Sequence, residues 1–379
     1  MTIAFAGGGT GGHFYPNIAI AEAIKDIAKE QRLIAPRLYY LAPDPFDDQA
    51  LYENEIEFLR IPAGKMRRYR SFANITDSFV TMSGILAALF VLFRIYPDVV
   101  ISKGGYASVP VTLAARILGI PVIIHESDAR PGRANLLASK WAKSIAISYA
   151  SAEKFFPEKV RSKIARTGIP VRKELARLEP EGAKQYLNLD PSVPTVLILG
   201  GSSGSERINE TLLAALPDLV PAANIIHQCG KANLKQVELV ARVALGGNTN
   251  ESRYHPTDYL NALTLRRAAG AADLVVSRAG ATAIAEIALW GKAAILIPIP
   301  EDVSHDQRAN AYAYAELGAA IVLEEGNLTP HLLASEIKRI LGDGALAAKM
   351  ATAGKGFVDV DAAAIIAKEA VEISLSHES

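Results

Sequence analysis

The sequence predicts an α/β protein made of two parallel-sheet domains in series. Short apolar segments alternate with helix-length segments along the 379 residues, and this spacing leaves room for the helical crossovers that parallel strands require. The alternation pauses between residues 167 and 194 and then starts again. Each half opens in the same way, with a strand, a glycine-rich loop and a helix. Together these observations favour two separate sheets joined by a connecting region.

The predicted strands are nearly continuous runs of Val, Ile, Leu and Ala, which are typical of strands buried on both faces. In the first half they are Thr2–Ala6, Leu38–Ala42, Val99–Ser102, Val122–His125 and Ser144–Ser148. In the second half they are Thr195–Leu199, Asn224–His227, Asp273–Ser277, Ala293–Pro298 and Ala320–Leu323. Helices are expected over Pro330–Leu341, Ala345–Ala353 and Asp359–Leu375. We therefore expect domains at 1–166 and 195–355, a linker region at 167–194 and a C-terminal helix within 356–379.

The composition excludes several classes of protein. Forty Lys and Arg residues balance forty Asp and Glu residues, so the chain lacks the overall field that would gather nucleic acid, and no nucleic-acid partner is expected. The 50% hydrophobic content excludes an intrinsically disordered chain. The single cysteine, Cys229, cannot form an internal disulfide, and the N-terminus lacks a signal-peptide pattern. A reducing, cytoplasmic location is expected.

The first glycine-rich loop, residues 7–13, follows a predicted strand and precedes a helix expected to begin near Pro16. Glycines let the backbone approach a ligand, and a helix N-terminus offers unpaired N–H groups with positive dipole character. Gly7, Gly9 and Gly12 also match the dinucleotide fingerprint, but its acidic residue is expected about 20 positions later, and Asp44 lies farther along. A phosphate or another anion is favoured over NAD, and a tight turn without a ligand is the alternative.

The second glycine-rich loop, residues 200–205, takes the equivalent place in the second half. Its Ser202 and Ser203 are expected either to donate hydroxyl groups to phosphate or to cap the following helix. Two such loops, one opening each half, favour a ligand rich in phosphate.

A third segment, residues 277–286, places small residues at a predicted helix start. The N–H groups of Ala281, Thr282 and Ala283 are expected to face a diphosphate. Glu286, one turn into this helix, is expected either to accept ribose hydroxyls or to complement the helix dipole.

These segments together resemble family 28 glycosyltransferases, and most closely the members that act on muramoyl lipids in peptidoglycan synthesis. The matches occur in the family's order and span nearly the whole chain: 8–13 with Pro16, 102–106 with Pro110, 125–128, 131–135, 168–172, 200–204, 227–231, 277–286 and 307–311. The resemblance implies the GT-B architecture, an α/β fold in which two Rossmann-like parallel-sheet domains face each other across a cleft. It also implies a C-terminal helix that packs back on the N-terminal domain.

By this resemblance, the C-terminal domain binds UDP-N-acetylglucosamine and the N-terminal domain binds a polyprenyl-diphosphate-linked muramoyl acceptor. The residues implied in donor and substrate binding are Thr10, Gly11, Gly12, Asp128, Arg172, Ser202, Ala281, Thr282, Ala283, Glu286 and Gln307. Glu286 would bind the ribose, Gln307 the donor sugar and Arg172 the donor phosphates. The sequence departs from the family at Asp128 and Ile169, where asparagine is common, and at Ala283, where threonine is common. Segment 253–263 fits the uracil side poorly, so no uracil contact is assigned.

The implied reaction is an inverting displacement at the anomeric carbon of N-acetylglucosamine by the C4 hydroxyl of the muramoyl sugar, which gives lipid II and UDP. Backbone N–H groups and helix dipoles can stabilise the leaving diphosphate. No cofactor is therefore expected, and no metal-ligand spacing is present, although a Mg²⁺ ion on the diphosphate is compatible with the sequence.

His13 is the leading candidate for the general base, since histidine titrates near neutral pH. A phosphate contact and a structural role for His13 stay open. Asp128 is the second candidate for the base and Glu126 the third.

An uncharged stretch, Ser78–Phe93, follows a basic and aromatic cluster. Its 16 residues are fewer than the roughly 20 that span a bilayer. Apolar surface beside cations suits attachment to anionic headgroups, at the cytoplasmic face of the bacterial plasma membrane. The expected membrane contacts are Lys65, Arg67, Arg68, Arg70, Phe79, Leu86 and Phe90. A buried helix beside a solvated basic loop is the alternative.

Other functions are weighed against this interpretation. Another family 28 transferase, acting on a glycolipid or a natural product, fits most of the same motifs. A nucleotide-sugar epimerase needs acidic and basic groups for elimination, and no second motif supplies them. An NAD-dependent oxidoreductase leaves the loop at 200–204 and the segment at 281–286 unexplained, and a nonenzymatic scaffold leaves every glycine loop unexplained.

Overall fold

The protein divides into two compact units. The computed structural model describes residues 1–64, 73–301, 305–358 and 361–376. Unit 1 consists of Met1–Arg172 and the C-terminal segment Asp359–Ser379, and unit 2 consists of Lys173–Val358. Each unit contains one sheet, and all strand pairs are parallel. The predicted fold class of two Rossmann-like domains is confirmed.

Unit 1 is built on a seven-stranded sheet. Its strands are β1 (Thr2–Ala6), β2 (Arg37–Ala42), β3 (Ile56–Arg60), β4 (Val99–Ser102), β5 (Val122–Glu126), β6 (Ser144–Ile147) and β7 (Ile164–Arg166). They lie in the order β3-β2-β1-β4-β5-β6-β7. The helices are α1 (Gly11–Glu30), α2 (Asp48–Glu53), α3 (Ala73–Ile95), α4 (Ser108–Ile117) and α5 (Arg133–Ala138), with 3-10 turns at Ala150–Phe155 and Glu158–Lys163.

Unit 2 is built on a six-stranded sheet. Its strands are β8 (Thr195–Leu199), β9 (Asn224–Gln228), β10 (Tyr254–Thr257), β11 (Leu274–Ser277), β12 (Ala293–Leu296) and β13 (Ala320–Val322), in the order β10-β9-β8-β11-β12-β13. The helices are α6 (Ala183–Tyr186), α7 (Glu206–Leu219), α8 (Leu234–Leu245), α9 (Ala262–Ala271), α10 (Ala281–Trp290), α11 (His305–Ala315), α12 (Pro330–Gly342) and α13 (Gly344–Gly354). There are 3-10 turns at Lys173–Ala176, Glu251–Arg253 and Glu325–Asn327.

Every strand predicted from the sequence is present, with ends shifted by at most two residues. Strands β3, β7 and β10 are absent from the prediction, and all three lie at a sheet edge. Edge strands need not be apolar throughout: β3 carries charged residues among apolar ones, and β10 contains Pro256, which suits an edge because proline cannot donate to a ladder.

The first helix begins at Gly11, so the prediction of a start near Pro16 is wrong. Thr10 is the N-cap residue, with extended backbone dihedrals, and its carbonyl already accepts the N–H groups of His13 and Phe14 at 3.1 and 3.2 Å. Pro16 lies inside α1, where its ring removes one hydrogen bond without ending the helix. Residues that look like loop glycines therefore form the first helical turn.

The last helix, α14 (Ala362–Ser376), belongs to unit 1 and packs against α1. Its Ile366 and Val371 are buried in the same apolar cluster as Ile20 and Ile24 of α1. The Ser144 hydroxyl donates a hydrogen bond to the Glu369 carboxylate. One face of the unit 1 sheet is thus covered by the two ends of the described chain.

Helix α3 packs on unit 1 along one narrow stripe. Ala88 and Leu92 are fully buried in a core cluster with β4 and α4, whereas Phe79, Leu86 and Phe90 are 73%, 63% and 68% exposed. The 20 residues Thr76–Ile95 are long and apolar enough, by length and composition alone, to cross a membrane. The uncharged stretch Ser78–Phe93 was expected to be too short to span a bilayer. The apolar part of α3 extends beyond it to 20 residues, so the expectation from length is corrected. The basic residues Lys65, Arg67, Arg68 and Arg70 lie outside the described residues.

Candidate active site

The carboxyl ends of the central strands position the candidate site of unit 1. The strand order reverses between β1 and β4, and in doubly wound sheets ligands bind outside the carboxyl ends at such a reversal. The loop after β1 is close to the loop after β4: a Cβ added to Gly9 would lie 2.9 Å from the ring of Tyr106, and one added to Gly105 would lie 3.4 Å from Gly8 O. Gly9 and Gly105 have φ angles of +88° and +77°. Glycine is therefore needed both for the turns and for the close approach.

His13 stands in the first turn of α1, with Thr10 bonded at one ring nitrogen and Gly105 near the other. Its Nδ1 atom is 2.9 Å from the hydroxyl oxygen of Thr10, and its Nε2 atom would be 3.4 Å from a Cβ at Gly105. When Nδ1–H donates to Thr10, the Nε2 lone pair is available to accept a proton. Burial and the positive charge of Lys103 lower the His13 pKa to about 3, so the imidazole is neutral near physiological pH. The neutral ring can accept a proton, but a pKa this low makes it a weak base, because a general base works best with a pKa near the operating pH.

Glu126, at the end of β5, accepts three hydrogen bonds. Its Oε1 atom accepts the Asp128 N–H at 2.9 Å, and its Oε2 atom accepts the Gly132 N–H and the Asn135 side-chain amide, both at 2.9 Å. Burial and the neighbouring Asp128 raise its pKa to about 7. Because its oxygens organise the loop between β5 and α5, the geometry favours a positioning role for Glu126 over the role of base.

Asp128 and Arg172 also lie in unit 1. Asp128 is partly exposed, and its charge acts on both Glu126 and Lys103. The Arg172 guanidinium carbon is 4.0 Å from the ring centroid of Tyr15, so this cation stacks on an aromatic side chain of the first turns of α1. The structure thus brings Thr10, Gly11, Gly12 and His13 together on one helix start.

The turn after β8 forms the glycine loop of unit 2. Gly204 N–H donates to Gly201 O at 3.1 Å, and Ser202 and Ser203, at the tip of the turn, are exposed. Ser205 caps α7, since its hydroxyl accepts the Ile208 N–H at 3.3 Å. The capping alternative for Ser202 and Ser203 is therefore wrong, and both hydroxyls stay at the surface of the loop.

Helix α10 starts at Ala281 with Gly280 as its N-cap, and no side chain caps it. The first intrahelical bond of this end runs from Ile284 N–H to Gly280 O, at 3.0 Å. The amides of residues 281 to 283 therefore have no intrahelical acceptor and face outward from the helix start, as predicted for a diphosphate site.

Two of the predicted donor-binding residues lie at this helix. Glu286 is half-buried on α10. Gln307 of α11 approaches the same helix start, with its Nε2 atom 4.0 Å from a Cβ built on Gly280, and its Oε1 atom accepts the Ile299 N–H at 3.2 Å. The structure therefore groups Glu286, Gln307 and the α10 amides within unit 2.

The matched segments 102–106 and 277–286 each contain one basic residue to which the sequence assigns no role. Lys103 follows β4 directly and is only 3% exposed. Arg278 follows β11 directly, and its guanidinium donates to Ser205, Ile297 and Pro298 and pairs with Glu325. Their shared signal is visible in the sequence, where each follows a serine that ends a strand.

Metal ligands are not clustered among the described residues of either unit. Within 1–64, 73–301, 305–358 and 361–376, no group of three or more His, Cys, Asp or Glu residues is arranged to hold a metal ion.

Comparison with known proteins places the chain in a family. The model of the glycosyltransferase family 28 N-terminal domain matches residues 3–147, and that of the family 28 C-terminal domain matches residues 195–364. The chain belongs to glycosyltransferase family 28. It is therefore a glycosyltransferase, and the two family domains correspond to the two sheets described above.

Individual relatives agree with this membership. The UDP-N-acetylglucosamine–N-acetylmuramyl-(pentapeptide) pyrophosphoryl-undecaprenol N-acetylglucosamine transferase of Clostridium kluyveri is 36% identical over 344 residues, covering 89% of this chain and 90% of the relative. The crystal structure of Acinetobacter baumannii MurG is similar, with a TM-score of 0.69 and 26% identity, over 98% of this chain and 99% of that one.

A more distant structure has the same fold. The S. aureus MnaA–UDP co-structure matches with a TM-score of 0.72 and 14% identity, over 99% of this chain and 96% of that one. Identity at that level shows the shared fold and nothing about the reaction.

Proposed function

We propose that this family 28 enzyme transfers N-acetylglucosamine from UDP-N-acetylglucosamine to the C4 hydroxyl of the muramoyl sugar in a polyprenyl-diphosphate-linked muramoyl-pentapeptide. The products are lipid II and UDP, and the anomeric configuration inverts. One observation carries the proposal: the 36% identity, over nine-tenths of its length, to a transferase whose name specifies this donor and this acceptor.

The donor is assigned to unit 2. The amides at the start of α10 supply N–H groups and positive dipole character for the UDP diphosphate. The exposed Ser202 hydroxyl adds a donor from the loop after β8. Glu286 accepts the ribose hydroxyls, and Gln307 reads the hydroxyls of the sugar. As negative charge grows on the leaving diphosphate, these fixed donors stabilise it without a redox cofactor.

The acceptor is assigned to unit 1, with His13 as the general base. Its neutral ring and the Thr10 contact at Nδ1 support this role. Nε2 takes the proton of the C4 hydroxyl while the oxygen attacks the anomeric carbon, and the bond to the UDP oxygen breaks. Asp128 and Arg172 contribute charge near the acceptor and the phosphates.

The acceptor's polyprenyl chain requires a membrane, and α3 supplies an apolar surface for it. Phe79, Leu86 and Phe90 are exposed and suit insertion among headgroups and upper acyl chains. The neighbouring basic residues in the sequence, Lys65 to Arg70, suit anionic lipids. We therefore assign the enzyme to the cytoplasmic face of the bacterial plasma membrane as a peripheral protein.

The deciding experiment incubates the purified protein with UDP-N-acetylglucosamine and a short-chain lipid I analogue, and follows UDP release together with the disaccharide product. The expected result is one UDP per β-linked disaccharide. A control with the donor alone should give neither UDP nor a 2-epimer of the sugar. Turnover of the donor alone to an epimer, or transfer to diacylglycerol with no transfer to the lipid I analogue, would refute the proposal.

A further inference from the structure

Lys103 and Arg278 occupy equivalent positions in the two units. Each is the first residue after the strand that borders the point of strand-order reversal, β4 in unit 1 and β11 in unit 2. Their backbones are bound alike: Lys103 N–H donates to Ala6 O, at the end of β1, at 2.8 Å, and Arg278 N–H donates to Leu199 O, at the end of β8, at 3.2 Å. Both positions are therefore at the edge where doubly wound sheets bind ligands.

Arg278 is fully engaged by its own unit. One terminal nitrogen donates to Ser205 Oγ at 2.6 Å, and the other donates to Ile297 O at 3.3 Å and to Pro298 O at 3.4 Å. The guanidinium also forms an ion pair with Glu325 at 2.5 Å. A half-buried cation with this set of partners is explained by the fold alone.

Lys103 has no such set of partners. Within the part of the chain that the structure describes, no side-chain hydrogen bond and no ion pair within 4.0 Å reaches its ammonium group, although the residue is 97% buried. Burial lowers its pKa, while the charges of Glu126 and Asp128 act in the opposite direction without contact. Glu126 does not satisfy it either, because its carboxylate oxygens accept other donors and lie more than 4.0 Å from the ammonium nitrogen. The nitrogen itself is not among the completely enclosed polar atoms, so a ligand can reach it, and a largely desolvated cation without a partner is costly.

The loop after β1 is built closely around Lys103. A Cβ at Gly7 would lie 3.1 Å from Lys103 Cβ and 3.0 Å from His13 O, so the glycine loop passes directly over the root of this side chain. The ammonium charge also lowers the pKa values of His13 and His125. The cation therefore belongs to the same small region as the start of α1.

From this asymmetry we infer that Lys103 is a binding residue for the diphosphate of the polyprenyl-linked acceptor, at the glycine loop of unit 1. The inference rests on the proposed function for the identity of the acceptor. The acceptor diphosphate pairs with the Lys103 ammonium, which has no partner within the described part of the protein, and the amides at the start of α1 donate further hydrogen bonds to it. Unit 2 holds its diphosphate with helix amides and uses its equivalent cation for structure.

The test measures ligand binding directly, so that it does not depend on turnover. Farnesyl diphosphate, farnesol and UDP are titrated into the wild-type protein and into Lys103→Met, Lys103→Gln and the control Lys25→Met. Lys25 is another lysine of unit 1; it is half-buried, and its ammonium is bound to Asn54 O at 3.0 Å. Loss of one charge-assisted hydrogen bond predicts a Kd for farnesyl diphosphate that is about 10- to 100-fold higher in both Lys103 variants. Binding of UDP and farnesol should not change, and the control should bind all three ligands like the wild type.

Stability separates a ligand-binding lysine from a structural one. Replacing an unpartnered buried cation by methionine should leave Tm unchanged or raise it. An unchanged Kd for farnesyl diphosphate would overturn the inference, as would a loss of UDP affinity of equal size, which would assign Lys103 to the nucleotide. Failure of both Lys103 variants to fold would identify a structural lysine and overturn it too. Failure of the proposed function would appear separately, as a wild-type protein that transfers no sugar to the lipid I analogue.

Discussion

The Arg278 guanidinium donates a hydrogen bond to the Ser205 hydroxyl over 2.6 Å. The same hydroxyl accepts the Ile208 N–H and so caps α7. One side chain from the end of β11 therefore fixes the helix that follows the glycine loop of β8. Arg278 therefore acts on the loop that carries Ser202 through Ser205, where the loop joins α7.

Arg278→Met should destabilise unit 2. It leaves Glu325 without its cation and removes one of the two donors to the Ser205 hydroxyl, and breaking this partly buried ion pair should cost up to about 3 kcal/mol. Urea unfolding followed by fluorescence should show a lower midpoint with the slope unchanged. The control is Arg339→Met, whose pair with Glu336 is exposed and should contribute less than about 1 kcal/mol. Equal stability of the two variants would contradict the engaged role of Arg278.

His13→Ala should abolish most of the transfer while leaving donor binding intact. General base catalysis contributes about 10²- to 10⁴-fold, so we expect a fall in kcat of that size with an unchanged Kd for UDP. Thr10→Val removes only the partner of Nδ1 and should reduce kcat by about tenfold, the equivalent of about 1.4 kcal/mol. A His13→Ala enzyme with nearly wild-type kcat would exclude His13 as the base and leave Asp128 as the next candidate.

The pH profile of kcat/KM gives an independent check on His13. Because its pKa is lowered to about 3, the neutral ring persists throughout the mildly acidic range, and the base form is lost only near the pKa itself. We therefore expect kcat/KM to show no fall on the acidic side with an apparent pKa near 6.5, the ordinary value for histidine. Such a limb, absent from His13→Gln, would show that His13 titrates normally in the working enzyme.

Glu286→Gln should weaken the donor specifically. A carboxylate that accepts ribose hydroxyls contributes about 1.5–3 kcal/mol, so the Kd for UDP should rise by about 10- to 100-fold. The Kd for 2′,3′-dideoxy-UDP should be the same in the wild type and the variant, because that ligand lacks both hydroxyls. Glu210→Gln, an exposed residue of α7 in the same unit, is the control. A variant that weakens UDP and its dideoxy analogue equally would place Glu286 away from the ribose.

The exposed face of α3 should govern attachment to lipid. Phe79→Ser, Leu86→Ser and Phe90→Ser together remove apolar surface that contributes nothing to the core. We expect loss of most of the binding to anionic vesicles, with Tm unchanged. The control combines Leu239→Ser and Val243→Ser on α8, which are also exposed. Equal vesicle binding by both multiple variants would exclude α3 as the lipid contact.

Folding stability should fall as the solution becomes acidic, and His227 should account for part of that fall. Its ring is fully buried between Tyr254 and Asn209, and burial lowers its pKa to about 3. The folded protein therefore binds fewer protons than the unfolded chain between the lowered and the ordinary value. Stability is lost as pH falls through that window, at up to about 1.4 kcal/mol per pH unit. His227→Gln should reduce this slope, measured by urea unfolding at several pH values.

The sequence predicted the interior of both sheets because buried parallel strands have a strong apolar pattern. Its failures have local causes. Strand β10 contains Pro256 and lies at an edge, where pattern is weak. The start of α1 was placed too late because Gly11 and Gly12 look like loop residues, yet they open a helical turn. Ser205 rather than Ser202 caps α7, and only the turn geometry decides between neighbouring serines.

The candidate site was predictable in its motifs but not in its electrostatics. Glycine loops and the α10 start follow from the order of residue types. The contrast between Lys103 and Arg278 does not follow from the sequence, because it depends on which side chains contact each cation in the folded protein. Likewise, three donors converge on Glu126 from residues up to nine positions away from it in sequence.

The packing of α14 on α1 has a consequence for synthesis of the chain. The apolar faces of Ile366 and Val371 complete a core that also contains Ile20 and Ile24, yet all of unit 2 is translated between them. Domains generally fold as they emerge from the ribosome. The N-terminal unit is made first, but part of one face of its sheet stays uncovered until α14 leaves the ribosome, so its core is completed after unit 2 has been made.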